Sequence, residues 1–293
     1  MGVVGVSRAS SKSLTGFLFV LPTLLVLGAL IVYPLISTVV LSVTGPRGGW
    51  VGFENFEFLA TDPAAWRSLV NTVIYVGGSV ALQMILGTYA GIVLNQPFRG
   101  RGVVRSIVLI PWVIPGIVAA TTWAWMYHTD FGIINYMLSQ IGLISGNQGW
   151  LTNPRTVLPA LILVNVWKMV PFVAVMVMAG LQGIDRTLYE AARVDGATFV
   201  DEVRYITLPN LKPILFSTLM LLTIWGFNAF TIIYTMTGGG PADSSLIIPL
   251  HIFRVAFEYF DFNMAAAESI ILFLMLAVLI GLYIKFFSPQ EEV

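Results

Sequence analysis

Cysteine is absent from the 293 residues of this sequence, and charged residues are scarce, at 10% against 57% apolar residues. The absence of cysteine excludes disulfides, thiolate metal ligands and cysteine nucleophiles. Because a typical soluble domain has about 25% charged residues, the low fraction here indicates an integral membrane protein. The formal net charge is zero and no long basic run occurs, so neither nucleic acid nor a polybasic lipid contact is favoured.

Motifs for nucleotide and metal chemistry are also missing. No G-x-x-x-x-G-K-[ST] phosphate loop and no Gly-Lys pair occur, so we predict that the chain is not an ATPase and holds no cofactor. An intramembrane enzyme would need a nucleophile with its base or a metal cluster. His128 and His251 are far apart and lack HExxH-like spacing, so we predict no metal site and expect both at the surface or at helix caps.

Long apolar blocks predict an all-α membrane protein with about six transmembrane helices. A span needs about 20 apolar residues. The first block is longer than a signal-peptide core and contains Pro22 and Pro34, which favours an uncleaved span over a signal peptide. Pro111 and Pro115 predict bends in the third span. The predicted organisation is a tail at 1–15, spans at 16–43, 69–94, 103–127, 157–181, 213–235 and 264–286, a loop at 182–212, and a tail at 288–293.

The distribution of basic residues predicts the orientation, because lysine and arginine near span ends are retained in the cytoplasm. With the N-terminus inside, ten basic residues fall on the inner side and four on the outer side, and Lys168 lies within the fourth span. Both termini and the 182–212 loop are therefore predicted to be cytoplasmic.

The segment Glu190 to Pro209 reads E-A-A-R-V-D-G-A-T-F-V-D-E-V-R-Y-I-T-L-P and is the longest charged stretch between two spans. Leu188, Ala191 and Ala192 share one side of a short predicted helix, and the two alanines keep that side thin. Gly196 interrupts this helix, Thr198 and Asp201 match a capping pattern for the next one, and Pro209 is expected to end that second helix. The alternative is an amphipathic interfacial loop packed on its own bundle.

This stretch resembles the EAA motif of permease subunits of binding-protein-dependent ATP-binding-cassette importers. V-W-K-M-V-P-F at 166–172, A-G-L-Q at 179–182 and T-G-G-G-P at 237–241 resemble the maltose-type permease subfamily, and the likeness covers about residues 16–286. The extra N-terminal spans and large outer domain of the maltose permease are not present here. The motif positions matched are Glu190, Ala191, Ala192, Asp195, Gly196, Ala197, Ile206, Leu208 and Pro209.

The resemblance implies a type I importer permease fold in a prokaryotic plasma (inner) membrane. It implies a heterodimer with a second permease, two copies of a sugar-family ATPase that hold ATP and magnesium, and an extracytoplasmic solute-binding protein. Glu190 would supply a polar contact to the ATPase, and Gly196 would set the turn of the motif. The expected function is import of a carbohydrate or carbohydrate derivative by alternating access.

Two helix faces are candidates for the substrate pathway, because sugars bind aromatic faces and neutral hydrogen-bonding groups. Resemblance matches these faces to stretches that line the sugar site of maltose-type permeases, although Lys168, Met169 and Ala229 depart from that pattern. A buried ammonium at Lys168 favours an acidic substrate as one hypothesis, and an anchor at the partner interface is another. The aromatic residues and methionine could equally face lipid or the core. The candidates are Asn165, Lys168, Met169, Phe172, Trp225, Asn228 and Ala229.

A gradient-driven secondary transporter is the alternative function. Such a protein needs ionisable residues in its spans as proton or sodium relays. Only Lys168 and Glu268 meet that requirement clearly.

Overall fold

The computed structural model describes residues 7–287, with side chains for 17–285, and the regular elements in that range are helices. Residues 1–6 and the predicted tail 288–293 lie outside the described residues. A π-helical turn at Gly28–Val32 joins the first two helices, and another at Glu202–Thr207 joins the tenth to the eleventh. The helices are α1 (Ser7–Leu27), α2 (Tyr33–Ser42), α3 (Glu54–Thr61), α4 (Pro63–Asn95), α5 (Arg101–Val113), α6 (Gly116–Met126), α7 (Ile133–Gln140), α8 (Val157–Gln182), α9 (Arg186–Val194), α10 (Phe199–Asp201), α11 (Leu208–Phe227), α12 (Thr231–Thr237), α13 (Ile248–Phe257) and α14 (Phe262–Phe287).

Within residues 7–287, five continuous helical stretches are long and apolar enough to cross a membrane, and a bent pair supplies a sixth. The bent pair is α5 and α6, which meet at 94°. Because α1 begins at Ser7, the predicted tail 1–15 is helical over much of its length. The continuous stretches are Phe17–Ser42, Pro63–Asn95, Val157–Gln182, Phe199–Phe227 and Phe262–Lys285.

The third predicted span is broken at one of its two prolines. Pro111 lies inside α5, whereas Ile114 and Pro115 have extended backbone, with ψ of 130° and 140°. A residue before proline is sterically disfavoured in the helical region, which explains the break at Ile114. The span 103–127 is therefore two helices instead of one.

The predicted fifth span, 213–235, is wrong at both ends. Helical structure starts at Phe199 and runs through Pro209, because that proline occupies the first turn of α11, where its missing N–H is tolerated. The helix ends at Phe227. The backbone N–H of Asn228 donates to Trp225 O at 3.2 Å, and its side chain donates to Ile224 O at 2.8 Å, so the carbonyls needed for another turn are occupied.

The centre of the bundle is the close pair α4 and α8. A Cβ atom added at Gly87 would lie 2.3 Å from Val173 Cβ, and one added at Gly91 would lie 2.7 Å from Val177 Cβ. Two glycines at this spacing let helix backbones approach closely in a membrane. The α4–α8 contact thus depends on glycine at both positions.

A loop at 238–247 closes one end of the bundle and is fixed to α4. Asn71 donates to the carbonyls of Asp243 and Leu246 at 3.0 and 2.9 Å, and Thr72 accepts from the Ile248 N–H at 2.9 Å. Arg254 donates to Asp243 at 2.6 Å from the other side.

The prediction that His251 lies at the surface or at a cap is wrong. The residue is 4% exposed, and its Nδ1 lies 2.8 Å from a carboxylate oxygen of Glu268. Glu268 is 3% exposed and lies on α14, so the pair joins α13 to α14. By contrast, His128 is exposed, and its Nδ1 accepts from the Asp130 N–H, as a cap residue does.

Candidate functional site

Residues 182–212, called the motif loop below, contain the helix, glycine turn and helix that the sequence predicts. Helix α9 starts after Asp185, whose side chain accepts a hydrogen bond from the Thr187 N–H at 2.9 Å. This hydrogen bond lowers the pKa of Asp185. The second helix starts at Thr198, where the Thr198 and Asp201 side chains each accept from the other residue's backbone N–H. Both helices thus begin with satisfied backbone donors.

The turn between the two helices depends on the backbone of Gly196. Its φ is +85°, in the left-handed region that favours glycine. The Gly196 N–H donates to Arg193 O, and the Ala197 N–H donates to Ala192 O, which is the Schellman pattern that ends a helix. A Cβ atom added at Gly196 would have no neighbour within 4 Å. Position 196 therefore requires a left-handed backbone conformation, although there is enough space around it for a side chain.

A charged pair clamps the two helices of the motif loop together. Arg193 Nε lies 2.6 Å from Glu202 Oε1, and Nη2 lies 3.3 Å from Oε2. Tyr189 and Thr207 add a hydroxyl contact of 3.0 Å. Glu202 was not among the predicted motif residues, although it falls three residues after Phe199, on the apolar side of the second helix, and a carboxylate at such a position is a signal.

The exposed side of α9 differs in one residue from the predicted side. Leu188 and Ala191 are exposed, and Val194 is 87% exposed, whereas Ala192 is half-buried towards its own chain. Glu190 is also exposed. The exposed surface of α9 thus includes an apolar strip, flanked by the Glu190 carboxylate and by the exposed Arg186 and Arg193.

A polar cleft of about 620 Å³ lies between the motif loop and the end of α4. Its charged lining residues are Arg101, Arg186, Glu190, Arg193 and Glu202. This cleft holds the Arg193–Glu202 clamp and lies between that clamp and the end of α4.

A second cavity, of about 200 Å³, lies at the middle of the bundle and is called the central cavity. Six of the seven predicted pathway residues line it, whereas Phe172 lies behind it with its ring 4.9 Å from that of Trp225. Residues of the non-helical chain after α11 line the cavity. Its lining includes Asn165, Lys168, Met169, Trp225, Asn228 and Ala229, together with Gln83, Gly116, Phe230 and Thr231.

Gln83 is a lining residue that the sequence analysis missed. It is 1% exposed and donates to Asn165 O at 3.3 Å, so it links α4 to α8 beside the cavity. An amide within an apolar span is the signal that could have identified it.

The Lys168 ammonium group binds backbone carbonyls at the break between α5 and α6. Its Nζ donates to the carbonyl of Ile114 at 2.5 Å and to that of Trp112 at 3.4 Å. These carbonyls lie at the C-terminal end of α5, which carries partial negative charge and lacks helical partners. The ammonium therefore neutralises the broken helix end and ties α8 to it.

Two further observations limit the chemistry available. A further hollow, of about 770 Å³, is an apolar groove along α6, α7 and α8, with three tryptophans and Arg155 as its one charged lining residue. Among the described residues, no three His, Asp or Glu side chains are grouped to hold a metal ion. Polar lining groups are thus found in the cleft beside the motif loop and in the central cavity.

Comparisons with known proteins agree with this architecture. The family described as "Binding-protein-dependent transport system inner membrane component" matches residues 83–290. The trehalose/maltose transport system permease protein MalF of Thermococcus litoralis is 38% identical over 278 residues, covering 92% of each chain. The lactose transport system permease protein LacF of Rhizobium radiobacter is 32% identical and covers 98% of each chain.

The fold has a close structural match. The crystal structure of a bacterial ABC transporter involved in the import of the acidic polysaccharide alginate superposes with a TM-score of 0.85 at 24% identity. The match covers 97% of this chain and 99% of the other.

Proposed function

The chain belongs to the family of binding-protein-dependent transport system inner membrane components, and from this premise we propose that it is a membrane-spanning subunit of an ATP-driven carbohydrate importer. The family and the superposition give a type I importer permease fold in the inner membrane. Sugar-transport names among relatives that cover almost the whole chain support a carbohydrate or carbohydrate derivative as the cargo.

The geometry of the motif loop is the observation that carries this proposal. The small exposed surface of α9, formed by Leu188 and Ala191, suits insertion into a cleft of an ATPase, because bulky side chains would hold the two backbones apart. Glu190 lies beside this surface and supplies a polar contact. The clamp from Arg193 to Glu202 makes α9 and the second helix move together, so motion of the ATPase reaches α11 directly.

The full assembly follows from the same proposal. This chain pairs with a second permease, two copies of an ATPase hold ATP and magnesium, and a solute-binding protein delivers the cargo from outside. A solved alginate ABC transporter in complex with its substrate-bound periplasmic protein has a similar subunit, with a TM-score of 0.86. Ten inner against four outer basic residues support cytoplasmic termini and a cytoplasmic motif loop.

The test is ATP-driven uptake by the complete transporter in proteoliposomes. Glu190→Lys reverses the charge beside the docking surface and is expected to reduce both uptake and substrate-stimulated ATP hydrolysis while the protein stays folded. Glu57→Lys, at an exposed glutamate of α3, serves as the matched control. Uptake that does not require ATP and stops when the ion gradient is removed would identify a secondary transporter instead.

We propose that the central cavity contributes one wall of the substrate pathway. Its volume of about 200 Å³ is below the roughly 300–1,000 Å³ of ordinary ligand pockets, so a second subunit or another conformation must enlarge it. Trp225 and Asn228 are exposed and offer an aromatic face and an amide to a sugar. Trp225→Ala is expected to alter substrate preference, whereas Trp125→Ala, at an exposed tryptophan away from this cavity, is not.

The contacts of Lys168 favour a positioning role over recognition of an acidic substrate. If the ammonium only neutralises the end of α5, Lys168→Met reduces uptake of neutral and acidic sugars by the same factor, and Lys168→Arg restores part of it. Selective loss of acidic sugars would instead support an ion pair with the substrate.

A further inference from the structure

A buried polar stripe runs along α4 from the 238–247 loop to the central cavity. Asn71, Tyr75, Ser79 and Gln83 follow one another at four-residue spacing, which places them on successive turns of one helix side. Their exposed fractions are 8%, 0%, 0% and 1%. At about 1.5 Å per residue the stripe is about 18 Å long, more than half of a hydrocarbon core of about 30 Å.

The two ends of the stripe are paired, and its middle is not. Asn71 donates to carbonyls of the 238–247 loop, and Gln83 donates to Asn165 O. Among the side chains described, 17–285, no hydrogen-bond partner lies within reach of Tyr75 Oη or Ser79 Oγ. The two residues are one helical turn apart on α4, and Tyr75 belongs to the main hydrophobic cluster of the protein.

Other buried hydroxyls in the same bundle are satisfied by carbonyl groups. Thr72, Thr218 and Thr223 each donate to the carbonyl four residues earlier in their own helix. Tyr127 donates to the Ala160 carbonyl of α8 at 3.3 Å. Since lipid and hydrocarbon side chains offer no partner, a buried hydroxyl in a membrane protein requires one from the protein or from water.

We propose that Tyr75 and Ser79 bind internal water, forming a hydration site that continues the polar stripe between the 238–247 loop and Gln83. A buried water molecule makes about two to four hydrogen bonds to groups that are otherwise unsatisfied. Each of the two hydroxyls can donate one bond and accept others, so neighbouring turns of α4 supply enough groups for one shared water.

The site has a mechanical consequence for α4. Direct hydrogen bonds to fixed carbonyls would be broken if α4 moved against its neighbours, whereas water can change partners as the helix shifts. The tightly packed glycines Gly87 and Gly91 hold the other half of α4 to α8. Only the middle of the stripe, at Tyr75 and Ser79, can therefore adjust its polar contacts, whereas Asn71 and Gln83 at its ends keep direct hydrogen bonds to carbonyls.

Radiolytic hydroxyl labelling of the intact transporter, read out by mass spectrometry, tests this directly. Radicals are generated from water at the labelled side chain, so bound water gives oxidation of a residue that bulk solvent does not reach. Tyr127 is the matched control, because it is 4% exposed and its hydroxyl is already bonded. In the resting state without ATP, Tyr75 is expected to be oxidised several-fold faster than Tyr127. An equal or slower rate at rest overturns the proposal, even if labelling increases during transport.

A thermodynamic cycle with Tyr75→Phe and Ser79→Ala provides a second measurement. If the hydroxyls share water, each single substitution lowers the Tm and the double substitution lowers it by less than the sum. If the hydroxyls are dry and unpaired, removing them relieves a penalty. A rise in Tm in either single variant, or additive decreases, contradicts a shared hydration site.

Discussion

Arg193 and Glu202 lie on opposite sides of the Gly196 turn, and their side chains meet at 2.6 Å. The guanidinium is 65% exposed, whereas the carboxylate is 9% exposed, so the pair extends from the surface into the polar cleft. The hydrogen bond from Arg193 to Glu202, together with the charge of that carboxylate, raises the Arg193 pKa. This pair fixes the angle between α9, which we propose docks on the ATPase, and the helix that continues into the membrane.

Removal of the guanidinium is expected to uncouple the transporter. Arg193→Met leaves the buried Glu202 carboxylate without its partner, so α9 loses its fixed position and the number of substrate molecules imported per ATP falls several-fold. Glu202→Gln has a smaller effect, because the charge left without a partner is the Arg193 guanidinium, which is 65% exposed to solvent. Arg99→Met, at an exposed arginine that does not line the cleft, is the control. Equal coupling ratios in the Arg193 and Arg99 variants would contradict this role.

The effect of a substitution at Gly196 is expected to depend on whether the new residue tolerates a left-handed backbone conformation, and not on the size of its side chain. Asparagine tolerates the left-handed region, whereas a β-branched residue does not, so Gly196→Asn retains most ATP-driven uptake and Gly196→Val loses it. The conformational penalty for an ordinary residue there is about 1–2 kcal/mol. Thermal unfolding of both variants measures it. Gly102→Ala, at an open helical position of α5, is expected to be neutral or stabilising.

Local sequence patterns predicted much of this architecture because their physical causes are local. Apolar length identified the spans, and the Thr198–Asp201 pair was visible as a three-residue spacing. The end of α11 was missed although its cause is local: Asn228 bonds the carbonyls of its own preceding turn, whereas the sequence prediction assigned Asn228 to the substrate pathway alone. His251 was misplaced because its partner, Glu268, belongs to another helix, and a single sequence gives no distance between helices.

The same limit applies to the candidate site. Spacing within α8 placed Asn165 and Lys168 on one face, and the structure brings that face to the central cavity. Spacing could not show that the Lys168 ammonium binds the carbonyl of Ile114, 54 residues away. The assignment of these residues to substrate binding stays a prediction, while their shared location is a structural fact.

The α4–α8 contact is expected to be the most sensitive packing site in the protein. Gly87→Ala would place a Cβ atom 2.3 Å from Val173, which requires the helices to separate and costs about 1–3 kcal/mol. Gly77→Ala, on the exposed side of the same helix, meets nothing within 4 Å and serves as the control. Thermal unfolding of the purified protein distinguishes them. Val173→Ala is expected to rescue part of the loss at Gly87, and no rescue would argue against this specific clash.

The buried pair His251–Glu268 predicts how stability depends on pH. Burial lowers the His251 pKa, but the hydrogen bond and charge of Glu268, with the charge of Asp62, outweigh both burial and the nearby Arg254, so the net pKa is raised. A histidine whose folded pKa is raised stabilises the folded protein fully below its unfolded pKa, about 6.5. This contribution is lost as the pH rises through the folded value.

The Tm of the wild-type protein is therefore expected to decrease as the pH is raised from about 6.5 through the folded pKa of His251. His251→Gln removes the titrating group, so its Tm should be lower at acidic pH and should change less across that window. His128→Gln alters the other histidine, which is exposed, and should keep the wild-type dependence. If both variants retain the wild-type slope, the titrating group is not His251. If only the His251 variant loses the slope, the ionic contact between α13 and α14 is responsible, because these are the helices that His251 and Glu268 join.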